Sequence, residues 1–274
     1  MAGRSALINV MYKAADAASR RIMRDFGEVE NLQVSRKGAA DFVTKTDITA
    51  EKVIYEELSK ARPDWGFLME EHGTIEGEDK DAPQWIIDPI DGTTNFMHGI
   101  PHFAISIAVR EGQKITAGLV FDPARNECFF AEAGKGAFLN ERRIRVSGRR
   151  QMSESLFATG IPFLGRGTPE TDALFQGEMQ SVMQKSAGIR RFGSAALDLA
   201  WVAAGRYEGY WEKGLNIWDI AAGIIIVREA GGFVSDFASR DKALETGDVV
   251  AANSALHTPL LKLLREGRDK VRGN

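Results

Sequence analysis

Apolar residues at Leu7, Ile8, Met11, Ala14, Ala15, Ala18, Ile22 and Met23 recur every three to four positions, the spacing of a helix with one buried face. The chain is therefore read as opening on an amphipathic helix. From Asn31 to Val43 that period is lost, and the segment reads as extended or hairpin chain turning at Lys37 and Gly38. A second helical spacing, ITAEKVIYEELSKARP, begins just after Asp47 and closes at Pro63, which puts Asp47 or Thr49 near its cap. Gly66 to Met69 reads as a short strand with Glu70 and Glu71 at its exit, where successive side chains point to opposite faces. GTIEGEDKDAP is acidic and unpatterned and reads as a surface loop, after which Trp85 to Ile87 is again strand-like.

Downstream the period changes to two. FAISIAVREG, KITAGLVFDP, ECFFAEAG and AFLNERRIRVS are strand-like runs separated by GQK, ARN and GKG turns, which predicts an antiparallel meander backed by the two N-terminal helices. After Val146 the elements alternate. SLFATGIPF and RYEGYWEKG read as strands, and Glu170–Gln184, SAALDLAWVAAG and Asn216–Ala230 as helices. Gly231 and Gly232 close the last of these, strands follow at Phe233–Phe237 and Asp248–Ala252, and a helix runs from about His257 to Glu266. The expected organisation is an α+β / α/β fold in two tightly packed parts, 1–146 with the antiparallel sheet and 147–274 with the alternating elements. No repeat or flexible linker divides them.

Composition narrows the function classes. A chain of 274 residues has room for a substantial core, and its net charge of −3 comes without the basic and aromatic interleaving of a nucleic-acid surface. RRIRVSGRR, residues 142–150, is the one basic cluster and reads as a solvated hairpin and linker. The single cysteine, Cys128, cannot form an internal disulfide, which fits a reducing compartment. No run approaches the roughly 20 apolar residues of a membrane span. Asp16 and Asp25 argue against an organelle presequence, so the expected location is cytoplasmic.

The chemistry concentrates in WIIDPIDGTTNF, residues 85–96. Pro89 cannot donate to a ladder, so the strand is expected to stop at Asp88 and turn. Asp91, Gly92, Thr93 and Thr94 then read as the start of a short helix, capped by Asp91 or a threonine, whose free amides face an anion. Two aspartates three apart can converge on one point, and their hard oxygens suit Mg²⁺. Taken alone they are also ordinary turn caps, and Asp219 is also an ordinary first-turn carboxylate favoured by the helix dipole. Gly99 and Pro101 break any helix between His98 and His102, so a zinc pair is not read there. Trp201, Tyr207, Tyr210, Trp211 and Trp218 read as packing residues.

WIIDPIDGTTNF resembles, nearly letter for letter, the DPxDGTxxF metal motif of the inositol monophosphatase family, within the lithium-sensitive, Mg²⁺-dependent phosphatases. DFVTKTD (41–47), GFLMEE (66–71) and WDIAAG (218–223) resemble its other motifs in the same order, so the likeness spans essentially the whole chain. It implies a layered α/β/α/β/α sandwich shared with fructose-1,6-bisphosphatase, and two or three Mg²⁺ ions per site. By the same resemblance Glu70, rather than Glu71, joins Asp88 and the Ile90 carbonyl at one metal, while Asp88, Asp91 and Asp219 hold a second. Thr93, oriented by Asp47, would position the attacking water beside Glu70, and the Gly92 and Thr93 amides would hold the phosphate. Glu212, the Gly193, Ser194 and Ala195 backbone, Asp91 and Asp219 would border the leaving group. A homodimer and lithium inhibition belong to the same expectation, with myo-inositol 1-phosphate as leading substrate. Fructose 1,6-bisphosphate, histidinol phosphate and 3′-phosphoadenosine 5′-phosphate are alternatives, as is a regulatory protein that binds a macromolecule. Asn216 departs from the histidine common in animal members.

Overall fold

A computed structural model describes residues 4–28, 34–38, 41–79, 81–162 and 167–273. Helix α1 (Ala6–Phe26) is capped by Ser5, whose hydroxyl accepts from the Ile8 amide at 3.2 Å, and it buries the face that the spacing marks. Strands β1 (Val34–Gly38) and β2 (Asp41–Thr44) pair as an antiparallel hairpin. Lys37 and Gly38 still belong to β1, and residues 39–40 lie outside the described residues. Helix α2 (Lys45–Ala61) starts earlier than its apolar spacing suggests. Thr44 is its cap and Asp47 sits one turn inside, closing a capping box, because a threonine hydroxyl satisfies the opening amides better than a later residue can.

The larger sheet contains β3 (Gly66–Met69), β4 (Gly73–Ile75), β5 (Gln84–Asp91), β6 (Ala104–Glu111), β7 (Lys114–Asp122), β8 (Glu127–Glu132), β9 (Gly136–Leu139) and β10 (Arg142–Ile144). Its order is β10-β9-β8-β7-β6-β5-β3-β4, antiparallel except where β3 lies parallel to β5. Two expectations need correction. Residues 73–75, read as loop, form the edge strand β4 on β3. β5 also continues through Pro89 to Asp91, because its pairing with β6 shifts register between Asp88 and Asp91 and releases the proline from the ladder.

A second sheet follows, built from β11 (Leu156–Thr159), β12 (Gly188–Arg190), β13 (Gly209–Glu212), β14 (Phe233–Ser235) and β15 (Val249–Ala252) in the order β12-β11-β13-β15-β14. The short helix α3 (Thr93–Met97) lies between β5 and β6, and α4 (Pro169–Met183), α5 (Ala195–Ala203), α6 (Ile217–Glu229), α7 (Ala243–Thr246) and α8 (His257–Arg272) complete the chain. α8 runs a turn and a half past its expected end, and α7 was not foreseen, since four residues carry no period to read.

Strand alternation sorts the apolar side chains into layers. Trp85, Ile87, Ile105, Ile107, Leu119 and Cys128 face α1 and α2. Their neighbours Ile86, Ala108, Val120 and Phe129 face α5 and α6, which also receive Ala158, Tyr210, Val249 and Ala251 from the second sheet. Phe157, Trp211, Val250 and Ala252 point the other way, toward Val182 of α4 and Leu260 and Leu264 of α8. The result is helices, sheet, helices, sheet, helices. Gly118 on β7 lets α6 approach: a Cβ there would lie 2.7 Å from the Ala222 carbonyl. Among the described residues no helix is long and apolar enough to cross a membrane.

Candidate active site

The register shift in β5 turns Asp88 and Asp91 toward the start of α6, which lies against the same sheet and contributes Asp219 from its first turn. One carboxylate oxygen from each of Asp88, Asp91 and Asp219 falls within 4.8 Å of the other two. Asp88 is buried, and its Oδ1 accepts from the Ile90 amide at 2.9 Å. Asp91 gives one oxygen to α5, where the Ser194 hydroxyl donates at 2.5 Å and the Ala196 amide at 2.7 Å. Asp219 accepts from the Asn216 amide at 2.7 Å, so Asn216 opens α6 and tethers the third carboxylate. Glu70 follows β3, its amide bonded to the Ile87 carbonyl at 3.2 Å, and its carboxyl hydrogen-bonds Asp88.

Such crowding has an electrostatic signature. Burial, reinforced by Glu70, Asp91 and Asp219, holds the Asp88 carboxyl well above the usual carboxylate range. Burial and the Asp91 charge do the same to Asp219. Burial lifts Asp91 to about 6, against the pull of hydrogen bonds from Ser194, Ala196 and Ala195. Carboxylates that raise one another's pKa while sharing one small volume favour a divalent cation, and an all-oxygen donor set suits a hard one. The residues present therefore fit Mg²⁺.

Beside this cluster the Thr93 hydroxyl lies 3.1 Å from Asp47 Oδ1 and 3.0 Å from the Ile90 carbonyl. Asp47 is fully buried, and its other oxygen accepts from the amide and hydroxyl of Thr44. Gly92 precedes α3 with φ 100° and makes the cap itself, so neither Asp91 nor a threonine does. A Cβ at Gly92 would lie 3.1 Å from the His102 carbonyl and 3.3 Å from that of Gly193, a three-way backbone approach that only glycine allows. The amides of Gly92 and Thr93 precede the first bond within the helix, from the Phe96 amide to the Gly92 carbonyl at 3.0 Å. Asn95 fastens this corner by donating to the carbonyls of His102 at 2.8 Å and Phe192 at 2.7 Å.

On the second sheet, Glu212 ends β13 and accepts from the Tyr210 hydroxyl at 2.5 Å. Its carboxylate lies where a Cβ on Gly160 would stand. A cavity of about 540 Å³ opens beside it, walled by Ile161, Leu174, Phe175, Trp211 and Leu215. This space adjoins Glu212 and Asn216 and leaves the three aspartates outside its wall. Gly193, Ser194 and Ala195 lie at the opening of α5, where Ser194 meets Asp91 and the Gly193 carbonyl faces Asn95. Reasoning from sequence missed Tyr210, Gly160, Asn95 and Glu51. Of these, Glu51 did leave a signal, since it lies on the helix stripe of Ile54 and Leu58, where a charge is out of place. His98 and His102 do not form a metal pair: His98 ends α3 and His102 packs between Phe192 and Trp201.

The model of the inositol monophosphatase family matches residues 4–269. An inositol-1-monophosphatase from Mesorhizobium japonicum is 53% identical over 263 residues, 96% of this chain and 97% of its own length. A Nus factor SuhB from Pseudomonas aeruginosa is 44% identical over 260 residues, 94% of this chain and 96% of its own. Among solved structures, the extragenic suppressor protein suhB from Bartonella henselae superposes with a TM-score of 0.92 at 51% identity, covering 96% of this chain and all of that one.

Proposed function

The chain belongs to the inositol monophosphatase family and is a phosphatase, and from that premise we propose that it hydrolyses myo-inositol 1-phosphate with two or three Mg²⁺ ions. The observation that carries the reading is the convergence of Asp88, Asp91 and Asp219 within 4.8 Å beside the Thr93–Asp47 pair. Glu70, Asp88 and the Ile90 carbonyl would hold one ion, and Asp88, Asp91 and Asp219 another. When bound, Mg²⁺ supplies Lewis-acid charge that activates water and neutralises the phosphate. Thr93 donates its proton toward Asp47 and keeps its oxygen lone pairs to accept from the attacking water, which fixes that water's direction. The Gly92 and Thr93 amides would hold phosphate oxygens. Glu212, held by Tyr210, and the backbone at the opening of α5 would bind the hydroxyls of the leaving alcohol.

The test is phosphate release from myo-inositol 1-phosphate with and without Mg²⁺, run beside fructose 1,6-bisphosphate, histidinol phosphate and 3′-phosphoadenosine 5′-phosphate. The inositol substrate should lead in kcat/KM, and lithium should suppress it. Asp91→Asn should lower kcat by more than about 100-fold, beyond the 10–100-fold typical of groups standing behind the ligands. A faster competitor changes the substrate, and an Asp91→Asn variant at the wild-type rate removes the metal assignment. The name of the Pseudomonas relative, Nus factor SuhB, favours a second role, as a regulatory protein that binds a macromolecule. An inactive Asp91→Asn protein that still rescues the growth defect of a deletion strain would establish that role. A homodimer is part of the proposal, and a concentration-independent monomer mass at sedimentation equilibrium would remove it.

A further inference from the structure

Glu51 is fully buried on α2, one turn after Asp47. A carboxylate taken out of water must be matched by donors, and three are present. Its Oε2 accepts from the Glu71 amide at 2.9 Å, and its Oε1 accepts from the His72 amide at 3.0 Å and contacts His72 Nδ1 at 2.5 Å. The last contact needs the ring proton on Nδ1. These are the two backbone amides that follow Glu70, while Glu70's own amide is held by the Ile87 carbonyl next to Asp88. Glu70 is therefore clamped from both sides. Residues four apart share a helix face, so α2 directs Asp47 at Thr93 and Glu51 at the 70–72 turn from a single stripe.

We infer that Glu51 is a positioning residue that fixes Glu70 relative to the Asp47–Thr93 pair and so sets the geometry of the metal position. The inference rests on the metal-dependent reading given above. Glu51→Gln keeps the shape but offers one acceptor oxygen and an NH₂ group to two backbone donors, so one amide loses its partner and the turn is released. Mn²⁺ binding to the substrate-free protein, followed by electron paramagnetic resonance, reads the effect without turnover. Affinity should fall about 10–100-fold in Glu51→Gln, the range for groups that orient metal ligands. The Mg²⁺ concentration for half-maximal phosphate release should rise in parallel, with excess Mg²⁺ restoring rate and KM for substrate at saturating Mg²⁺ unchanged. His72→Ala, which removes an exposed ring and one of the three contacts, should weaken Mn²⁺ binding less and in the same direction. Unaltered Mn²⁺ affinity in a Glu51→Gln protein with a native circular dichroism spectrum overturns the inference. Should that variant fail to fold, unaltered affinity in His72→Ala overturns it instead. A wild-type protein that binds Mn²⁺ but hydrolyses none of the four phosphates defeats the proposed activity alone, and the Mn²⁺ comparison still decides the role of Glu51.

Discussion

Asp91 serves two neighbourhoods, its Oδ2 accepting from Ser194 and Ala196 while its carboxylate also joins Asp88 and Asp219. That double service was only half legible in the sequence. A DPxDGT pattern marks the aspartates, but nothing local in it reveals a partner a hundred residues away. Glu70 and Asp219 were legible for the same reason, as members of spaced motifs, whereas Tyr210 on Glu212 and Asn95 on two distant carbonyls depend on tertiary contact alone. His102 gives a prediction at this scale. It is buried among Phe192, Trp201 and the Arg125 charge, and burial first, then Arg125, lowers its pKa from 6.5 to about 4. The unfolded chain takes up this proton before the folded one does. Stability from His102 is therefore complete above pH 6.5 and lost as the pH falls toward 4, by at most about 1.4 kcal/mol per pH unit. Urea unfolding between pH 7 and 4 should show that limb, and His102→Phe should flatten it; an unchanged slope would mean that the ring titrates freely in the fold.

At the scale of elements, period and punctuation gave the helices and the meander, and failed where a local rule was outweighed. Pro89 should have ended β5, yet the register shift toward β6 absorbs it. Residues 73–75 have no strand signal and pair because β3 offers them an open edge. The packing of α4 on α8 was not legible at all. The helices meet at Gly177 and Gly267, where an added Cβ on either would come within 2.5 Å of the other's carbonyl oxygen. Gly267→Ala must push the helices apart and should cost about 1–3 kcal/mol, the usual range for overpacking. Denaturant unfolding measures this, and phosphate release under native conditions should stay unchanged because the crossing lies in the outermost layer. A variant as stable as the wild type would place the helices farther apart than described.

For the whole molecule, the layered order was read from the family resemblance, and the alternation of buried side chains in β5 to β8 and in β11 to β15 supplies its physical basis. Asp88 and Asp91 come from the first sheet and Asp219 from the helix layer against it, so a cation held among them would tie the layers together. Without it, Asp91 holds a proton up to about pH 6 that the unfolded chain releases near 3.8. The folded state binds more protons across that window, and its stability falls as pH rises through it. On the proposed metal reading, Mg²⁺ binding to the folded state alone should raise the melting temperature more at pH 7.5 than at pH 5. Calorimetry at both pH values checks this, with Asp219→Asn expected to lose most of the increment. A melting temperature indifferent to Mg²⁺ at either pH would argue against a cation in the cluster.

The place of α6 between the two sheets also sets a timetable. Asp91 and Asp219 leave the ribosome roughly 6–26 seconds apart at ordinary synthesis rates of about 5–20 residues per second. Once Ile144 has emerged the first sheet can form, but Ile86, Ala108, Val120 and Phe129 have no α6 to cover them until it follows. The newborn chain is thus at its stickiest while its acidic cluster is still incomplete, and the same helix ends both conditions: its apolar face covers the sheet as its first turn delivers the third carboxylate.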